Sequence, residues 1–394
     1  MRITLLHGGC FPVPPHLGGA VEKVWFTLGQ EFARTGNHVV QISRFFKDLP
    51  RREFLKGVEH RRVKGYDRPS SFTSLLVNEF FYCLRAMTAL PSADILVTNS
   101  IWAPVLARKS RWGALYVHVA RFPKGQMHLY RHVARLHSVS HAVAKAIARE
   151  CREVADKVCV IPYPHGQDGL VKDIPTWESR ENRILYVGRV HPEKGLELLI
   201  NGFRHFIDLR EKSKLSTPAG NQPQTPWNLV IVGPVADSGG GGGEPFLCRL
   251  QQLAQGLETR ILFLPPIFDP GSLARLYQQS KLFIYPSIAE TGEAFGLAPL
   301  EAMAHACPPV VSNLDCFKDF ITPEENGFCF DHRCQRPERV LGELLHRICS
   351  EQGVCLSEIS KKSFSTAQRY SIKQISQEYL QDFDRVLSFR YVKS

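Results

Sequence analysis

An apolar strand, a turn and the start of a helix follow one another in Ile184-Leu185-Tyr186-Val187-Gly188-Arg189-Val190-His191-Pro192-Glu193-Lys194-Gly195. The apolar run before Gly188 is typical of a strand covered on both faces, and the glycines and the proline after it mark a turn. In an open parallel sheet, ligands bind beyond the carboxyl ends of the strands, where the helices begin. Arg189 and Lys194 occupy that position, so the stretch predicts an α/β domain with two cations at its ligand-binding edge.

Short apolar runs alternate with helix-like segments along the whole chain. In the first half, strands are predicted at 3–6, 39–43, 95–98, 114–118 and 158–162, with helices between them at 21–35, 75–90 and 142–151. In the second half, strands are predicted at 184–188, 229–232, 261–264, 282–286 and 309–312, with helices at 195–209, 245–255, 270–280 and 299–305. This alternation indicates βαβ units and parallel sheets.

We therefore expect an α/β fold with two doubly wound, Rossmann-like domains, at 1–168 and 182–371. A C-terminal helix at about 372–394 is expected to pack back onto the first domain. Two stretches of biased composition interrupt the second domain, at 212–227 and at the five glycines 239–243. Both are interpreted as flexible surface insertions, since the glycine run lacks the lysine and spacing of a phosphate-binding P-loop.

Composition excludes several classes of protein. A chain of 394 residues, with 44% hydrophobic and 22% charged residues, is typical of a globular protein with about two domains. It has no apolar run long enough to span a membrane, and its N-terminal apolar run is too short for a signal peptide. The eleven cysteines show no metal-ligand spacing. We expect a cytoplasmic protein without a metal site.

The net charge of +11 is concentrated in the first half of the chain. Residues 1–170 carry 24 Lys and Arg against 12 Asp and Glu, whereas the remaining residues carry 25 against 26. A basic domain is typical of proteins that meet an anionic membrane or an acidic substrate, and a merely solvated surface is the alternative. No nucleic-acid-binding motif accompanies the charge, so nucleic acid is not expected as a partner.

Two carboxylates flank a predicted helix start in Glu293-Ala294-Phe295-Gly296-Leu297-Ala298-Pro299-Leu300-Glu301. Pro299 is well suited to a first helical turn, and the amides of Gly296 and Leu297 would point outward at the positive end of the helix. Such a helix end binds phosphate. Two carboxylates around a diphosphate pocket favour a nucleotide sugar as ligand, whereas two solvated glutamates on a surface helix are the alternative.

Two residues of the first domain are further candidates. Gly19, in the pair Gly18-Gly19, follows the first strand and precedes a helix, so it could admit a phosphate or sugar close to the backbone, or serve only the turn. His118 ends a predicted strand, where a neutral imidazole can bind a sugar hydroxyl or stay a structural side chain.

In these residues and the motifs around them, the chain resembles a retaining GT-B glycosyltransferase of family four, of the group 1 type. The resemblance extends over nearly its whole length. The resemblance rests on Gly18-Gly19-Ala20-Val21-Glu22, His118, Ser140-His141-Ala142-Val143-Ala144-Lys145, Tyr186-Val187-Gly188-Arg189, Glu193-Lys194-Gly195, Tyr285-Pro286-Ser287, and Glu293-Ala294-Phe295-Gly296-Leu297 through Glu301-Ala302-Met303-Ala304. It implies a GT-B fold, in which two Rossmann-like domains face each other across a cleft.

The resemblance also implies roles for the candidates. Donor diphosphate would be bound by Arg189, Lys194, Gly296, Leu297 and Gly19. Glu301 would bind the ribose, and the catalytic pair would be Glu293, which orients the transferred hexose, and His118.

Three features depart from the family pattern. Val119 follows His118 where an acidic residue is common, Gly233-Pro234 and the glycine run replace a short loop, and Asn313-Leu314-Asp315 replaces a glycine pair.

The expected activity is retaining, metal-independent transfer of a hexose from a nucleotide diphosphate sugar to a hydroxyl of a saccharide or lipid-linked acceptor. No cofactor is expected beyond that donor, and cell-surface polysaccharide or glycoconjugate synthesis is the expected setting. The basic first domain would meet the anionic inner face of the membrane, with the segment 75–90 either at the interface or in the core. The alternatives are a nucleotide-sugar epimerase, a sugar-phosphate phosphorylase and a non-catalytic sugar-nucleotide binding module.

Overall fold

The computed structural model describes residues 1–16, 19–67, 69, 71–166, 174–215, 225–350 and 355–391. Contacts divide the chain into two compact units, called here unit 1 (Met1–Gly166 with Tyr370–Ser394) and unit 2 (Gln167–Arg369). The sequence placed the corresponding domains at 1–168 and 182–371, with the C-terminal helix belonging to the first.

Unit 1 is built on an eight-stranded sheet. Its strands are β1 (Arg2–Leu6), β2 (His38–Arg44), β3 (Arg52–Leu55), β4 (Val58–Val63), β5 (Ile95–Thr98), β6 (Ala114–Val119), β7 (Arg135–Ser138) and β8 (Val158–Val160). Its first helices are α1 (Ala20–Arg34), α2 (Phe72–Ala89), α3 (Ala103–Leu106) and α4 (His141–Glu150). The strand order is β3-β4-β2-β1-β5-β6-β7-β8, and every pairing is parallel except β3 with β4.

The sequence missed three strands of this sheet, β3, β4 and β7, because their residues are polar. In β4, Val58, His60 and Arg62 point inward although only Val58 is apolar. In β7, His137 and Ser138 are fully buried. Two of these buried polar side chains are bonded inside the fold. His137 Nε2 lies 2.7 Å from the Ile161 carbonyl oxygen, and Arg62 donates to the Val13 carbonyl oxygen. Hydrophobic periodicity therefore does not reveal these strands.

Unit 2 is built on a six-stranded, fully parallel sheet. Its strands are β9 (Glu181–Val187), β10 (Asn228–Val232), β11 (Ile261–Leu264), β12 (Ser280–Tyr285), β13 (Pro309–Ser312) and β14 (Phe328–Phe330). Its helices are α5 (Leu196–Leu215), α6 (Gly243–Leu253), α7 (Pro270–Gln279), α8 (Leu297–Ala304), α9 (Pro337–Cys349) and α10 (Leu356–Gln368). The strand order is β11-β10-β9-β12-β13-β14, which is the doubly wound Rossmann order.

This order fixes the expected ligand position in unit 2. The chain leaves β9 toward β10 on one side and later returns to β12 on the other side. The connections diverge at this point, which opens a crevice beyond the carboxyl ends of β9 and β12. Residues that bind a ligand are therefore expected in the loops that follow β9 and β12.

The last helix, α11 (Ile372–Tyr391), belongs to unit 1 and packs on α1. Its buried Tyr379 and Phe383 contact the rings of Trp25 and Tyr116, respectively. Its Asp382 accepts hydrogen bonds from Arg135 and from the Tyr116 hydroxyl. None of the helices within the described residues is long and apolar enough to cross a membrane.

Candidate functional site

The loops after β9 and β12 bring the predicted cations and one carboxylate together. Arg189 and Lys194 follow β9, and Glu293 and Gly296 follow β12. The turn at Pro192–Lys194 is fixed against the second loop, because the Glu193 carbonyl oxygen accepts bonds from Ser287 Oγ at 3.3 Å and from the Ile288 amide at 3.0 Å. These hydrogen bonds hold the loop after β9 and the loop after β12 together at the crevice of the sheet.

Lys194 and Glu293 form a buried ion pair at the centre of this site. Lys194 Nζ lies 2.7 Å from Glu293 Oε2, and the two side chains are only 6% and 11% exposed. The ammonium also lies 5.3 Å from the centre of the Tyr285 ring. Burial, followed by the Glu293 charge and its hydrogen bond, raises the pKa of Tyr285 well above its usual value. The phenol therefore stays protonated next to the carboxylate.

Glu193 connects the two cations. Its carboxylate pairs with Arg189 and lies 3.7 Å from Lys194 Nζ. Burial raises the pKa of this carboxyl group, but the charges of Lys194 and Arg189 outweigh burial, so its pKa is lowered overall. Glu193 is thus an anion between two cations that the sequence assigned to a diphosphate.

Gly296 lies at the N-terminus of α8 and has a left-handed backbone with φ of 95°. A Cβ atom here would lie 2.4 Å from Cε1 of Phe317, so both the φ angle and the neighbouring ring require glycine. Helix α8 begins at Leu297, and Pro299 lies in its first turn. Amides of a first helical turn have no acceptor inside the helix, and they give this end a partial positive charge.

Glu301 lies one turn further into α8 and is buried, with 7% of its surface exposed. Its charge contributes, after burial, to raising the pKa of Tyr277. The structure thus places Arg189, Lys194, Glu293, Gly296, Leu297 and Glu301 in unit 2, on the turn after β9, the loop after β12 and the helix α8.

The interpretation of the five glycines as a flexible surface insertion is wrong. Gly240 is buried, and its carbonyl oxygen accepts a bond of 2.8 Å from Arg189 Nη1. The amides of Gly242 and Gly243 donate to the carbonyl oxygens of Val190 and Val235. The glycine run is therefore packed around the Arg189 turn. Of the other predicted insertion, 212–227, residues 216–224 lie outside the described residues.

His118 and Gly19 lie in unit 1. His118 is 2% exposed on β6, and both its ring nitrogens are bonded: Nδ1 lies 2.7 Å from His137 Nδ1, and Nε2 lies 2.8 Å from the Tyr163 hydroxyl. Burial, and then His137, lowers the pKa of His118 well below its usual value. The imidazole is thus neutral and buried inside the fold, and a contact between His118 and a sugar stays a prediction.

Gly19 is the residue before α1 and has φ of 97°. A Cβ atom there would lie 2.4 Å from Glu22 Oε2. Glu22 is buried, which raises the pKa of its carboxyl group. The backbone conformation thus favours glycine, and the Glu22 carboxyl group lies directly beside it.

Sequence reasoning missed three groups at the unit 2 site: Glu193, Tyr285 and the Gly240 carbonyl. Glu193 lies between Arg189 and Lys194 in the sequence, and an acidic residue at such a position indicates that it pairs with the two cations. No pattern in the sequence near Arg189 indicates its bond to the Gly240 carbonyl oxygen, because Gly240 lies in the loop after another strand, β10. The described residues contain no group of three or more His, Cys, Asp or Glu side chains placed to bind a metal ion.

Comparison with known sequences finds a family match in unit 2. Residues 171–345, within unit 2, match the family described as glycosyl transferases group 1. An O-antigen chain mannosyltransferase from Salmonella typhimurium is 26% identical over 187 residues, which are 47% of this chain and 44% of the relative. An uncharacterized glycosyltransferase from Methanocaldococcus jannaschii is 25% identical over 354 residues, 80% of this chain and 82% of the relative. The chain thus spans under half of the first relative's length.

Comparison with solved structures covers nearly the whole chain. Sucrose-phosphate synthase from Thermosynechococcus elongatus has a TM-score of 0.74 at 17% identity, covering 98% of this chain and 100% of that one. Anabaena HepE, solved in complex with UDP and glucose, has a TM-score of 0.68 at 17% identity, with coverages of 98% and 100%. These likenesses confirm the predicted GT-B type of fold. Over residues 171–345, the chain is similar to the glycosyl transferases group 1.

Proposed function

We propose that this chain transfers a hexose from a nucleotide diphosphate sugar to a hydroxyl of a saccharide or lipid-linked acceptor. The observation that carries the proposal is the buried Lys194–Glu293 pair, at 2.7 Å, next to the N-terminus of α8 and beyond the carboxyl ends of β9 and β12. A cation, a carboxylate and a helix N-terminus at this position match the needs of a diphosphate joined to a sugar.

Donor binding would exchange partners within this group. The diphosphate would take Lys194 and Arg189 from the carboxylates of Glu293 and Glu193. Glu293, released from the ammonium, would then accept hydrogen bonds from the hexose hydroxyls, while Glu301 binds the ribose. The ion pair thus holds both side chains in place before the donor arrives, which lowers the entropy lost on binding.

In the transfer step, the acceptor oxygen would form its bond to the anomeric carbon as the bond to the β-phosphate oxygen breaks. The leaving phosphate oxygen would take the acceptor proton on the same face of the sugar, which retains the anomeric configuration. Positive charge on the sugar would be offset by Glu293, and negative charge on the phosphate by Lys194, Arg189 and the amides of Gly296 and Leu297. The proposal requires neither a metal ion nor a cofactor, since these groups supply the positive field.

The family resemblance assigns Gly19 to the diphosphate and His118 to the sugar, and both roles stay part of the proposal. Before His118 could contact a hexose, its ring would have to give up the bond to Tyr163 or to His137. The proposed setting is the synthesis of a cell-surface polysaccharide or glycoconjugate, at the cytoplasmic face of a membrane. The mannosyltransferase relative and the UDP and glucose bound to HepE support hexosyl donors as first probes.

Thermal-shift measurements with nucleoside diphosphates and their sugars test the donor. A ligand that binds the folded state raises the melting temperature, and the increase grows with the logarithm of the ligand concentration divided by the dissociation constant. We expect one nucleoside diphosphate to stabilise the protein, and its sugar to be hydrolysed slowly or transferred when an acceptor is supplied. If no nucleoside diphosphate stabilises the protein, the proposal is wrong.

Product analysis separates the proposed activity from its alternatives. An epimerase would convert the donor to a second nucleotide sugar without any acceptor. A phosphorylase would require inorganic phosphate, and a binding module would bind the donor and leave it unchanged.

A further inference from the structure

The solvent-facing side of α2 is apolar. Val77, Phe81 and Leu84, at helical spacing, are 55%, 54% and 42% exposed. The opposite side of the helix carries Glu79, Tyr82, Cys83 and Ala86, which are buried. A helix on the water-exposed surface of a globular protein normally presents polar residues to solvent and turns its apolar residues to the core. The exposed stripe therefore points to contact with something apolar.

No acidic residue of α2 faces solvent. Its only carboxylate, Glu79, is 4% exposed and accepts bonds from the Gly9 amide at 3.2 Å and from the Tyr66 hydroxyl. The N-terminal residue, Phe72, is 57% exposed, and the ammonium of Lys124 lies 5.9 Å from its ring centre. The exposed side of this helix is thus apolar with a cation at its start.

Arginines surround the other end of the helix. A cavity of about 230 Å³ is lined by Arg51, Arg52, Arg61, Arg62, Val63, Thr88 and Ala89. Thr88 is exposed and continues the stripe of Phe81 and Leu84 by helical spacing. Arg61 Nη1 donates to the Ala89 carbonyl oxygen at 2.9 Å, which ties strand β4 to the end of α2. The arginine cavity and the apolar stripe therefore form one continuous surface.

The charges of these arginines are only partly compensated. Arg62 is buried against Glu53, and Arg61 is paired with Glu59 at 2.7 Å. Arg52 lies directly opposite Arg61 in the β3–β4 ladder, where like charges repel. Within the part of the chain that the structure describes, neither Arg52 nor Arg51 forms an ion pair, although the charge of Arg52 helps to lower the pKa of Glu59. The hairpin keeps like charges together although this costs stability, as an anion-binding surface would.

Phe54 extends the surface further. Because successive side chains of a strand point to opposite sides, Phe54 lies on the same side of β3 as Arg52 and on the side opposite to Glu53. Its side chain is 73% exposed. Such a large apolar side chain next to a row of arginines is typical of a protein segment that enters the headgroup region of a bilayer.

We propose that unit 1 docks on a membrane that contains anionic lipid, through a surface called here the α2 surface. It consists of Phe54, Val77, Phe81 and Leu84, which enter the interface, and Arg51, Arg52 and Arg61, which bind lipid phosphates. Guanidinium groups bind phosphate oxygens in pairs of hydrogen bonds, and each basic residue near an anionic bilayer strengthens binding. This inference deepens the membrane partner named under the proposed function. It does not depend on glycosyl transfer, because vesicle binding needs neither donor nor acceptor.

Sedimentation with vesicles of phosphatidylcholine, with and without phosphatidylglycerol, tests the α2 surface. We expect the intact chain to bind the anionic vesicles at low salt and not the zwitterionic ones. Replacing Arg51 and Arg52 together by serine should weaken the partition coefficient by about fivefold for each arginine. Added salt should reduce this effect, because the Debye length is about 10 Å at 0.1 M salt.

The apolar part is tested separately by Phe81→Ser, which should weaken binding about tenfold at low and high salt alike. The matched controls lie in unit 2: Phe268→Ser, whose ring is 79% exposed, and the pair Lys361→Ser and Lys362→Ser on α10. These controls remove the same apolar side chain and the same total charge, and they should bind vesicles like the unchanged protein. Circular dichroism of each variant shows that it is folded.

Three results would overturn the proposal. Equal binding to both kinds of vesicle would show that lipid charge is not recognised, and equal losses in the unit 2 controls would show that only total charge or hydrophobicity counts. The third result would be that the unchanged protein does not bind vesicles, and that light scattering shows it to be a dimer which Phe81→Ser converts to a monomer. In that case the α2 surface is an interface between two copies of the chain. Unchanged donor binding in all these variants keeps the result separate from the proposed transfer reaction.

Discussion

At the scale of single residues, Glu293 gives the sharpest prediction. Glu293→Gln keeps the size of the side chain, but it removes the charge that would offset the developing positive charge of the hexose. We expect kcat to fall about a hundredfold, as for other groups that act mainly on the transition state. The dissociation constant of the nucleoside diphosphate should change little, because phosphate replaces Glu293 as the partner of Lys194. Initial rates and calorimetric titration measure the two quantities.

Glu290→Gln is the matched control, since Glu290 lies in the same loop and is 52% exposed, paired with His332 at 2.9 Å and Arg333 at 2.7 Å. This variant should retain most of the activity. A Glu293→Gln enzyme with near-normal turnover would remove Glu293 from the mechanism, and equal losses in both variants would indicate a general disturbance of the loop.

Gly296 gives a second prediction, about backbone and packing. Gly296→Ala adds a Cβ atom to a residue with φ of 95°, at 2.4 Å from the Phe317 ring. The left-handed conformation alone costs about 1–2 kcal/mol for an L-residue with a side chain. We expect urea unfolding to show a larger loss than this, because Phe317 must also move. Adding Phe317→Leu to Gly296→Ala should recover part of the loss, and no recovery would show that only the backbone matters.

The residues of the site differ in how visible they are from sequence. Arg189, Lys194, Glu293 and Glu301 follow predicted strands or begin a predicted helix, so the geometry of parallel sheets indicates their position. Glu193 was overlooked because a glutamate next to a lysine is usually a solvated pair. The burial of His118 could not be anticipated either, since its partners His137 and Tyr163 come from separate segments.

At the scale of elements, the C-terminal helix depends on one buried carboxylate. Asp382 on α11 accepts two hydrogen bonds from Arg135 of β7 and one from Tyr116 of β6. Its side chain is 6% exposed and that of Arg135 is 16% exposed. Asp382→Ala leaves the guanidinium and the phenol without this acceptor. We expect a loss of about 3–5 kcal/mol in the free energy of unfolding, measured by urea denaturation.

The exposed neighbour Asp384 provides the control, and Asp384→Ala should change the free energy of unfolding by less than about 0.5 kcal/mol. If Asp382→Ala proved as stable as Asp384→Ala, the link between α11 and the sheet would not depend on this ion pair.

The strands that the sequence predicted correctly are those whose apolar residues indicate that the strand is buried. Strands β1, β2 and β5 of unit 1 and strands β10, β12 and β13 of unit 2 are mainly apolar and buried, as expected where helices cover both faces of a sheet. Strands β3 and β4 carry five charged residues, Arg52, Glu53, Glu59, Arg61 and Arg62, so hydrophobic periodicity does not predict them. The pairing of β4 with β2 joins this charged hairpin to the edge of the sheet, and no local pattern in the sequence shows that pairing.

At the scale of the whole molecule, buried histidines make stability depend on pH. Unit 1 buries His7, His60, His118 and His137, and burial is the main reason why each has a lowered pKa: about 3 for His7, about 4 for His60 and His137, and well below the usual value for His118. In the unfolded chain these side chains titrate near 6.5.

The direction of the effect follows from proton uptake. Above about pH 6.5 these histidines are neutral in both states and add no pH dependence. Below it the unfolded chain binds protons that the folded chain does not, so the free energy of unfolding falls as the pH falls toward about 4. Each histidine contributes at most about 1.4 kcal/mol per pH unit, and carboxylates that titrate in the same range add their own change.

A variant isolates the contribution of one histidine from that of the carboxylates. His60 is fully buried, and burial, followed by the charge of Arg62, lowers its pKa to about 4. Urea unfolding of His60→Leu at pH 7.5 and pH 5 should show a pH dependence smaller than that of the unchanged protein by about 2 kcal/mol over this interval. Phe26→Leu removes a ring that lies 5.9 Å from His60 and keeps the titrating group, so it should lower the stability equally at both pH values. An identical pH dependence in His60→Leu and the unchanged protein would mean that His60 takes up its proton in the folded state, because water or a nearby carboxylate reaches a ring that the structure shows as buried.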